Sequence, residues 1–409
     1  MSGPGKQLSI LLRTQDDPND PTTIHHARMK LPANPSEILD ALHHLGCDDP
    51  NGVEVRIEDT AKTYLRHLLG STSSNLMEVD LLAQRLASIT LSDSTVLQAL
   101  IQMWLETTNI PQLINMTHAV DACHVASNVS TPEQLGRFLY DNDMLTAEET
   151  EMAMVKSAFS HYDDEYFAIL GREYRDAVHG VINGRLYVEY PDWPNLKEVY
   201  HPDDCPVFKV PECSLAADFY SYLWEGDEPE QVIHAEFPLS EQEYADILEK
   251  LGALEDELVI SPTQCLIPEM MHCISLDDTV ADLNAFAVCV AGLHARGKLP
   301  LYKALLNAHT CEDIRIANDL GVKALEYELH TAVHNPAQYA RWHLAVSEVD
   351  KDVRLLAEDN LYGYGSRLLE SSNDTLTEYG LLHRKDGGPV VSMEIHTDAQ
   401  LNPDIEQSM

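Results

Sequence analysis

Histidine is the commonest zinc ligand, and this chain carries nineteen of them. Spacing argues against ligation. His25-His26 and His43-His44 are adjacent pairs, and neighbours on a helix point about 100° apart. No H-x-x-x-H stands beside a useful Glu, and no Cys/His group has zinc spacing. A structural or surface role is the better reading, so no metal is expected. The eight cysteines are scattered without a C-x-x-C pair, which suggests buried, reduced thiols. Phosphate-binding loops of the G-x-x-x-x-G-K-[ST] and G-x-G-x-x-G forms are absent. "YGYGSR" (362–367) lacks the strand–loop–helix frame such a loop needs. A G-x-S-x-G elbow is missing too, and "YDDEY" (162–166) has no EF-hand order. Nothing here predicts a catalytic residue or a cofactor, and the chain is not expected to be an enzyme.

The acids are the unusual feature. Sixty-seven acidic side chains face 27 basic ones, a formal net charge of −40. Such a charge opposes compaction, so some use must retain it. It repels nucleic acid and lipid headgroups and attracts basic protein surfaces, although a merely soluble or halophilic protein would share it. The acids are not gathered in a tail: 29 lie in residues 1–200 and 38 in 201–409. Dense patches stand beside apolar helices or strands, where they would ride on rigid elements. These are the candidate partner-binding residues: Asp141, Asp143, Glu148, Glu149, Glu151, Asp163, Asp164, Glu165, Asp227, Glu228, Glu230, Glu255, Asp256, Glu257, Asp277 and Asp278. Duplex DNA carries one charge about every 1.7 Å of its axis. Carboxylates held in line on a rigid scaffold can imitate that field and compete for Lys/Arg grooves.

The scaffold that must hold them is written twice. "TPEQLGRFL" (131–139) returns as "NPAQYARWHL" (335–344), with Pro132, Gln134 and Arg137 matched by Pro336, Gln338 and Arg341, 204 positions on. "MKLPANPSEILDALHHLG" (29–46) resembles "AEFPLSEQEYADILEKLG" (235–252) at an offset of 206. "EVDLLAQRLASI" (78–89) aligns with "DLNAFAVCVAGL" (282–293) at 204, and Glu189-Tyr190 with Glu378-Tyr379 at 189. Four matches in one order predict two tandem copies, about 6–195 and 205–395, joined by a segment with four prolines within 191–206. The expected fold is α+β: a tandem repeat of small α/β and helical subdomains forming an elongated acidic protein. The expected boundaries are 1–75 (α/β), 76–130 (helical) and 131–195 (α/β), then 196–280 (α/β), 281–330 (helical) and 331–409 (α/β with a C-terminal tail). Gly46 and Gly252 stand where helix C-caps favour glycine, and Asn183-Gly184 is expected to form a hairpin turn. No run of about 18 apolar residues occurs, and the N-terminus lacks a cleavable signal pattern, so a cytoplasmic protein is expected.

These segments resemble the ArdA antirestriction family. "DDEYFAILGREY" (163–174) is similar to the family's D-Y-E-A-x-G-R-D-L. "EVDLLAQRL" (78–86) is similar to E-L-N-x-L-A-x-R-L, and "IPQLINMTHAVDACHV" (110–125) to D-L-I-N-L-x-x-N-L-D. "PEQLGRFL" and Glu189-Tyr190 follow in the right order. The resemblance implies a mimic of bent B-form DNA that occupies the DNA groove of a host type I restriction–modification enzyme in the bacterial cytoplasm. A CRISPR effector's DNA channel is the alternative target, and an acidic scaffold for basic nucleoid proteins is the other reading. It further implies no direct nucleic-acid binding, no membrane, and a tendency to form a homodimer. Gly171, Arg172 and Glu173 fall at the family's Gly-Arg-Asp position, in a segment read as structural plus surface. The chain departs from the family in being about twice as long, and its second copy has Gly365-Ser366-Arg367 at that position.

Overall fold

The computed structural model describes residues 5–15, 24–69, 75–104, 109–157, 163–222, 231–275 and 277–391. It is a mixed α+β protein. The first half runs β1 (Leu8–Gln15), β2 (Ile24–Leu31), α1 (Pro35–His44), β3 (Glu54–Thr60), α2 (Arg66–Leu69), α3 (Leu76–Ser88), α4 (Leu91–Met103), α5 (Ile110–Ala119), β4 (His124–Ser127), α6 (Pro132–Asp141), α7 (Ala147–Ser157), α8 (Asp163–Val178), β5 (Val181–Asn183) and β6 (Leu186–Glu189). The second half runs β7 (Leu215–Ser221), β8 (Ile233–Phe237), α9 (Glu241–Leu251), β9 (Leu258–Cys265), α10 (Val280–Ala295), α11 (Leu299–Ala308), α12 (Ile314–Lys323), β10 (Tyr327–His330), α13 (Pro336–Val346), α14 (Lys351–Glu358), α15 (Leu361–Ser371), β11 (Thr375–Thr377) and β12 (Gly380–Arg384). The four-residue α2 aside, the order is the same. The sheets also agree: β2-β1-β3 with β8-β7-β9, and β4-β6-β5 with β10-β12-β11. Strands β2 and β8 escape a pattern reading, because "IHHARMKL" and "IHAEF" are poor in consecutive apolar residues.

By contacts the described residues fall into two compact units. The first holds those within 1–12, 28–33 and 53–208, and the second those within 13–27, 34–52 and 209–409.

In the first unit, α6 shows why the signature "TPEQ" recurs. Thr131 Oγ1 accepts the Gln134 N–H (3.2 Å), and Gln134 Oε1 reaches back to the Ser130 N–H (2.7 Å). Pro132, lacking an N–H, sits where none is needed. Gly136 and Gly171 let α6 and α8 cross closely: a Cβ at Gly171 would land on the carbonyl oxygen of Pro132, and one at Gly136 on that of Phe167. The crossing covers Leu135, Leu139 and Tyr187 on one side and Ala153, Phe167 and Leu170 on the other. Elsewhere Asp80 accepts the Ala33 N–H (2.9 Å). The proline-rich stretch after β6 packs onto the unit. Asn115 receives the Val199 and Tyr200 N–H groups and donates to the Tyr200 carbonyl, at 2.7 to 2.9 Å, while Tyr200 donates to Glu78 (3.0 Å).

The second unit repeats these devices. Asn335 accepts the Gln338 N–H (3.0 Å) and Gln338 Oε1 accepts the His334 N–H (2.6 Å). A Cβ at Gly365 would land on the Pro336 carbonyl oxygen. Asn284 takes the place that Asp80 has, accepting the Leu239 N–H (2.7 Å) and donating to its carbonyl (2.8 Å). Ser240 and Glu243 cap α9 reciprocally, as Asn34 and Glu37 cap α1. Gly46 and Gly252 have φ of +71° and +60°, the left-handed C-cap expected of them.

The closing hairpins differ from expectation. In β5–β6 the turn is Gly184-Arg185, one residue later than expected, with Asn183 paired to Leu186. Asn183 stays in the strand because its side chain donates to the Thr95 carbonyl (2.9 Å). In β11–β12 Thr377 pairs with Gly380, so Glu378-Tyr379 are the turn itself. They correspond to Gly184-Arg185, at an offset of 194, and not to Glu189-Tyr190. The segment between the signature helix and the hairpin is ten residues shorter in the second half, which shifts the offset from 204.

If the two crossings set the packing, Gly171→Ala and Gly365→Ala should each destabilise by about 1–3 kcal/mol through overpacking. The reading is a lower urea midpoint at unchanged slope. An unchanged midpoint in both variants would contradict the close approach.

Candidate acidic partner-binding surface

Even if every cation in the chain were paired, 67 − 27 = 40 carboxylates would stay uncompensated. Many cations are indeed held locally. Arg28 binds Glu58 (2.9 Å), Arg66 binds Asp59 (2.8 Å), Arg175 binds Asp176 (2.7 Å) and Arg315 binds Asp313 (3.4 Å). Arg137 bridges Glu133 and Asp164 while lying 4.8 Å over the Phe167 ring. Such exposed pairs add little stability. Each neutralises an acid of its own surroundings and leaves the excess of carboxylates in place.

In the first unit the expected acids gather around α6, α7 and α8. Asp141 and Asp143 are exposed at the end of α6, and Glu148 and Glu151 are exposed on α7. Glu149 is half-buried and caps α7, accepting the Thr146 N–H (2.7 Å) and hydroxyl (2.6 Å). Asp164 and Glu165 are exposed in the first turn of α8, whereas the side chain of Asp163 lies outside the described residues. Burial raises the Tyr166 phenol, and Glu149, Glu173 and Glu148 raise it further, which places three carboxylates from two helices in one field. In the family-like triplet, Gly171 is buried in the helix crossing. Arg172 is exposed and donates to the Ala168 carbonyl of its own helix (3.0 Å), and Glu173 is exposed.

In the second unit two patches about twenty residues apart in sequence meet. Glu255 and Asp256 share with Asp277 and Asp278 a cleft of about 490 Å³, walled by Tyr244, Leu258 and Ile260 and lined by no basic residue. Asp278 is only 9% exposed and accepts the Ser275 N–H (2.7 Å), so it holds the turn at the cleft's edge. Glu257 likewise caps locally, accepting the Leu254 N–H (2.9 Å). Glu255, Asp256 and Asp277 remain exposed. Asp227, Glu228 and Glu230 lie outside the described residues. Chemically this surface offers carboxylate oxygens to ammonium or guanidinium groups.

Among the described residues no cysteine lines this cleft. Cys265 is buried and the other seven cysteines are half-buried, not all buried as the sequence suggests. Burial raises the thiols, Cys123 and Cys265 to about 12, so both stay protonated. Among the described residues no three His, Cys, Asp or Glu side chains are grouped to hold a metal ion, and no helix is long and apolar enough to cross a membrane.

One polar cluster was not anticipated. Lys303, fully buried on α11, donates to Asp40 Oδ1 (2.6 Å), which also accepts the Tyr379 hydroxyl (2.9 Å). A charge on the buried stripe of "LPLYKALL" was the available signal, but its partner lies 263 positions away. His43 and His44 flank this cluster on α1. Burial, then the Lys303 charge, pushes His43 down to about 2, although Asp48 lies 3.1 Å from its Nε2. Asp48 is well solvated, so burial prevails and the ring stays neutral. His334 is pushed down to about 4, first by burial and then by His25.

No protein-family model matches this chain, and no curated protein matches it.

Two measurements probe this cluster. Asp40→Ala, by leaving a buried ammonium unpaired, should lose about 3–5 kcal/mol, while Lys303→Met with Asp40→Leu should recover most of it. For the histidines, the unfolded state takes up a proton below the ordinary value of 6.5 and the folded state does not. Stability therefore falls as pH drops below 6.5, by about 1.4 kcal/mol per pH unit for each such ring. His43→Gln should flatten the dependence between pH 6 and 4.5 relative to the parent. An identical slope would mean that the ring is protonated in the fold.

Proposed function

We propose that this protein is a DNA-mimicking inhibitor. It would occupy the basic DNA groove of a defence enzyme in the bacterial cytoplasm, a type I restriction–modification complex or a CRISPR effector, by charge and shape and without turnover. The observation that carries this reading is the uncompensated acidic surface borne on capped, packed helices. Carboxylates on α6, α7 and α8 and around the 490 Å³ cleft have fixed bases, which a disordered acidic tail would lack. The repeated element order supports a duplication, as do the matched caps Gln134/Gln338 and the matched crossings Gly171/Gly365. On this reading the chain is an elongated tandem of ArdA-like copies. Joining two copies covalently gives each the high effective concentration of the other. The remaining reading, an acidic scaffold for basic nucleoid proteins, draws on the same charge and differs in having broad partners.

The test is binding of the purified protein to a candidate defence enzyme, with added duplex DNA and at several salt concentrations. Affinity should fall at least about tenfold between 50 and 200 mM salt, since the contacts exchange counterions as phosphates do, and DNA should compete. Glu255→Gln, Asp256→Asn and Asp277→Asn together should weaken binding and lower its salt slope. An affinity indifferent to both salt and DNA would sink the proposal.

A further inference from the structure

The first unit contains a cavity that a purely electrostatic surface does not need. It measures about 220 Å³, below the roughly 300–1,000 Å³ of small-molecule sites, and so is sized for a single side chain. Its walls include Val125, Leu139 and Met144, and the rim residues Val125 and Met144 are 46% and 47% exposed. Deeper in, the Tyr174 and Tyr187 rings stand 6.3 Å apart and inclined by 55°. Between these groups lies Glu189, whose side chain is 12% exposed. Its Oε2 accepts the Tyr187 hydroxyl (3.0 Å). Its Oε1 accepts the Tyr174 hydroxyl (3.4 Å) and lies 3.1 Å from His124 Nδ1.

The carboxylate is thus largely desolvated, and neither Lys nor Arg lines the cavity. Arg175, close enough to act on Tyr187, is held by Asp176 at 2.7 Å. A shielded carboxylate among aromatic and apolar side chains is an environment that stabilises an organic cation. Nor does the fold require it. The pairing register and the shared helix crossing put Leu368, Leu381 and His383 of the second half where Tyr174, Tyr187 and Glu189 stand in the first. There both leucines pack into a core with Val333 and Tyr339. The second half has its own tyrosine–carboxylate contact elsewhere, Tyr339 with Asp374 (2.7 Å), so a carboxylate at the Glu189 position is not needed to close these elements.

We propose that this cavity receives a lysine side chain presented by a basic protein partner. The methylene stem lies along Val125, Leu139 and Met144, and the ammonium meets the Tyr174 and Tyr187 rings and Glu189. Lysine fits better than arginine because Oε1 already meets Tyr174 and His124, and Oε2 accepts one phenol hydrogen. A compact ammonium needs one remaining lone pair, whereas a guanidinium fork wants two parallel acceptors. The ammonium recognition stands by itself; that the lysine belongs to a protein partner rests on the acidic-surface reading above.

The probe is acetyl-Gly-Lys-Gly-amide, titrated against the full chain carrying ¹³C-methyl methionine, with the Met144 resonance assigned through Met144→Leu. The lysine peptide should shift this resonance saturably, and the norleucine and arginine peptides should bind at least about tenfold more weakly. Glu189→Gln should weaken the lysine peptide about tenfold or more. With a net charge of −40, loss of one charge alters non-specific attraction little. Tyr174→Leu, which installs the residue found at the matching position of the second half, should do the same without loss of fold. The proposal is overturned if the lysine peptide causes no shift, if norleucine or arginine binds equally well, or if Glu189→Gln is without effect. Because no large partner is present, failure of the DNA-mimic reading leaves this result untouched, and the reverse also holds.

Discussion

Mutual repulsion among surplus carboxylates is the constraint to which the rest of the structure answers. A chain with 40 more acids than bases gains nothing from compaction electrostatically, so apolar burial and local hydrogen bonds must supply the stability. That accounts for the density of capping. Glu149, Glu243, Glu257, Asp278 and Asp282 each turn a carboxylate toward a backbone N–H within three residues. There the helix or turn dipole favours negative charge. Arg28, Arg66, Arg137, Arg175 and Arg315 likewise sit against nearby acids.

Against this background Lys303 stands apart. It is a fully buried cation in a protein short of cations, and it neutralises Asp40 where Tyr379 also converges. An ion pair so placed adds little net stability over an apolar replacement, but it strongly penalises any arrangement that separates the partners. It therefore fixes which surface of α1 meets α11. The neutral His43 beside it follows from the same burial.

Local devices were legible in the sequence and distant ones were not. The Pro and Gln of "TPEQ" and "NPAQ" stay visible because their contacts span four residues, and Gly46 and Gly252 because a left-handed C-cap all but demands glycine. Such fragments pointed to the element order that the two halves share. Strands β2 and β8 could not, since their buried positions hold His25 and Ala27 or alternate with charges. The hairpin match through Glu-Tyr failed because identical letters met different registers; strand pairing, not composition, decides which residues form a turn. Of the candidate surface, the exposed acids were recoverable from charge runs. That Glu255 and Asp277 line one cleft, or that Tyr174, Tyr187 and Glu189 converge, depends on how separate elements pack.

A chain whose two halves share an element order faces a hazard during folding: a strand of one half can pair with the sheet of the other. The registers of the closing sheets bear on this. In the first, His124 of β4 faces Glu189 of β6; in the second, Glu328 of β10 faces His383 of β12. The residue types are reversed in sense, and the contacts differ: His124 binds Glu189 (3.1 Å), whereas the ring of His383 is held by Asp374 (2.7 Å). Exchanging the strands would set Glu328 opposite Glu189, two carboxylates face to face, which a sheet disfavours. The register thus weighs against pairing β10 with β6, the one mixed pairing that would bring two carboxylates together.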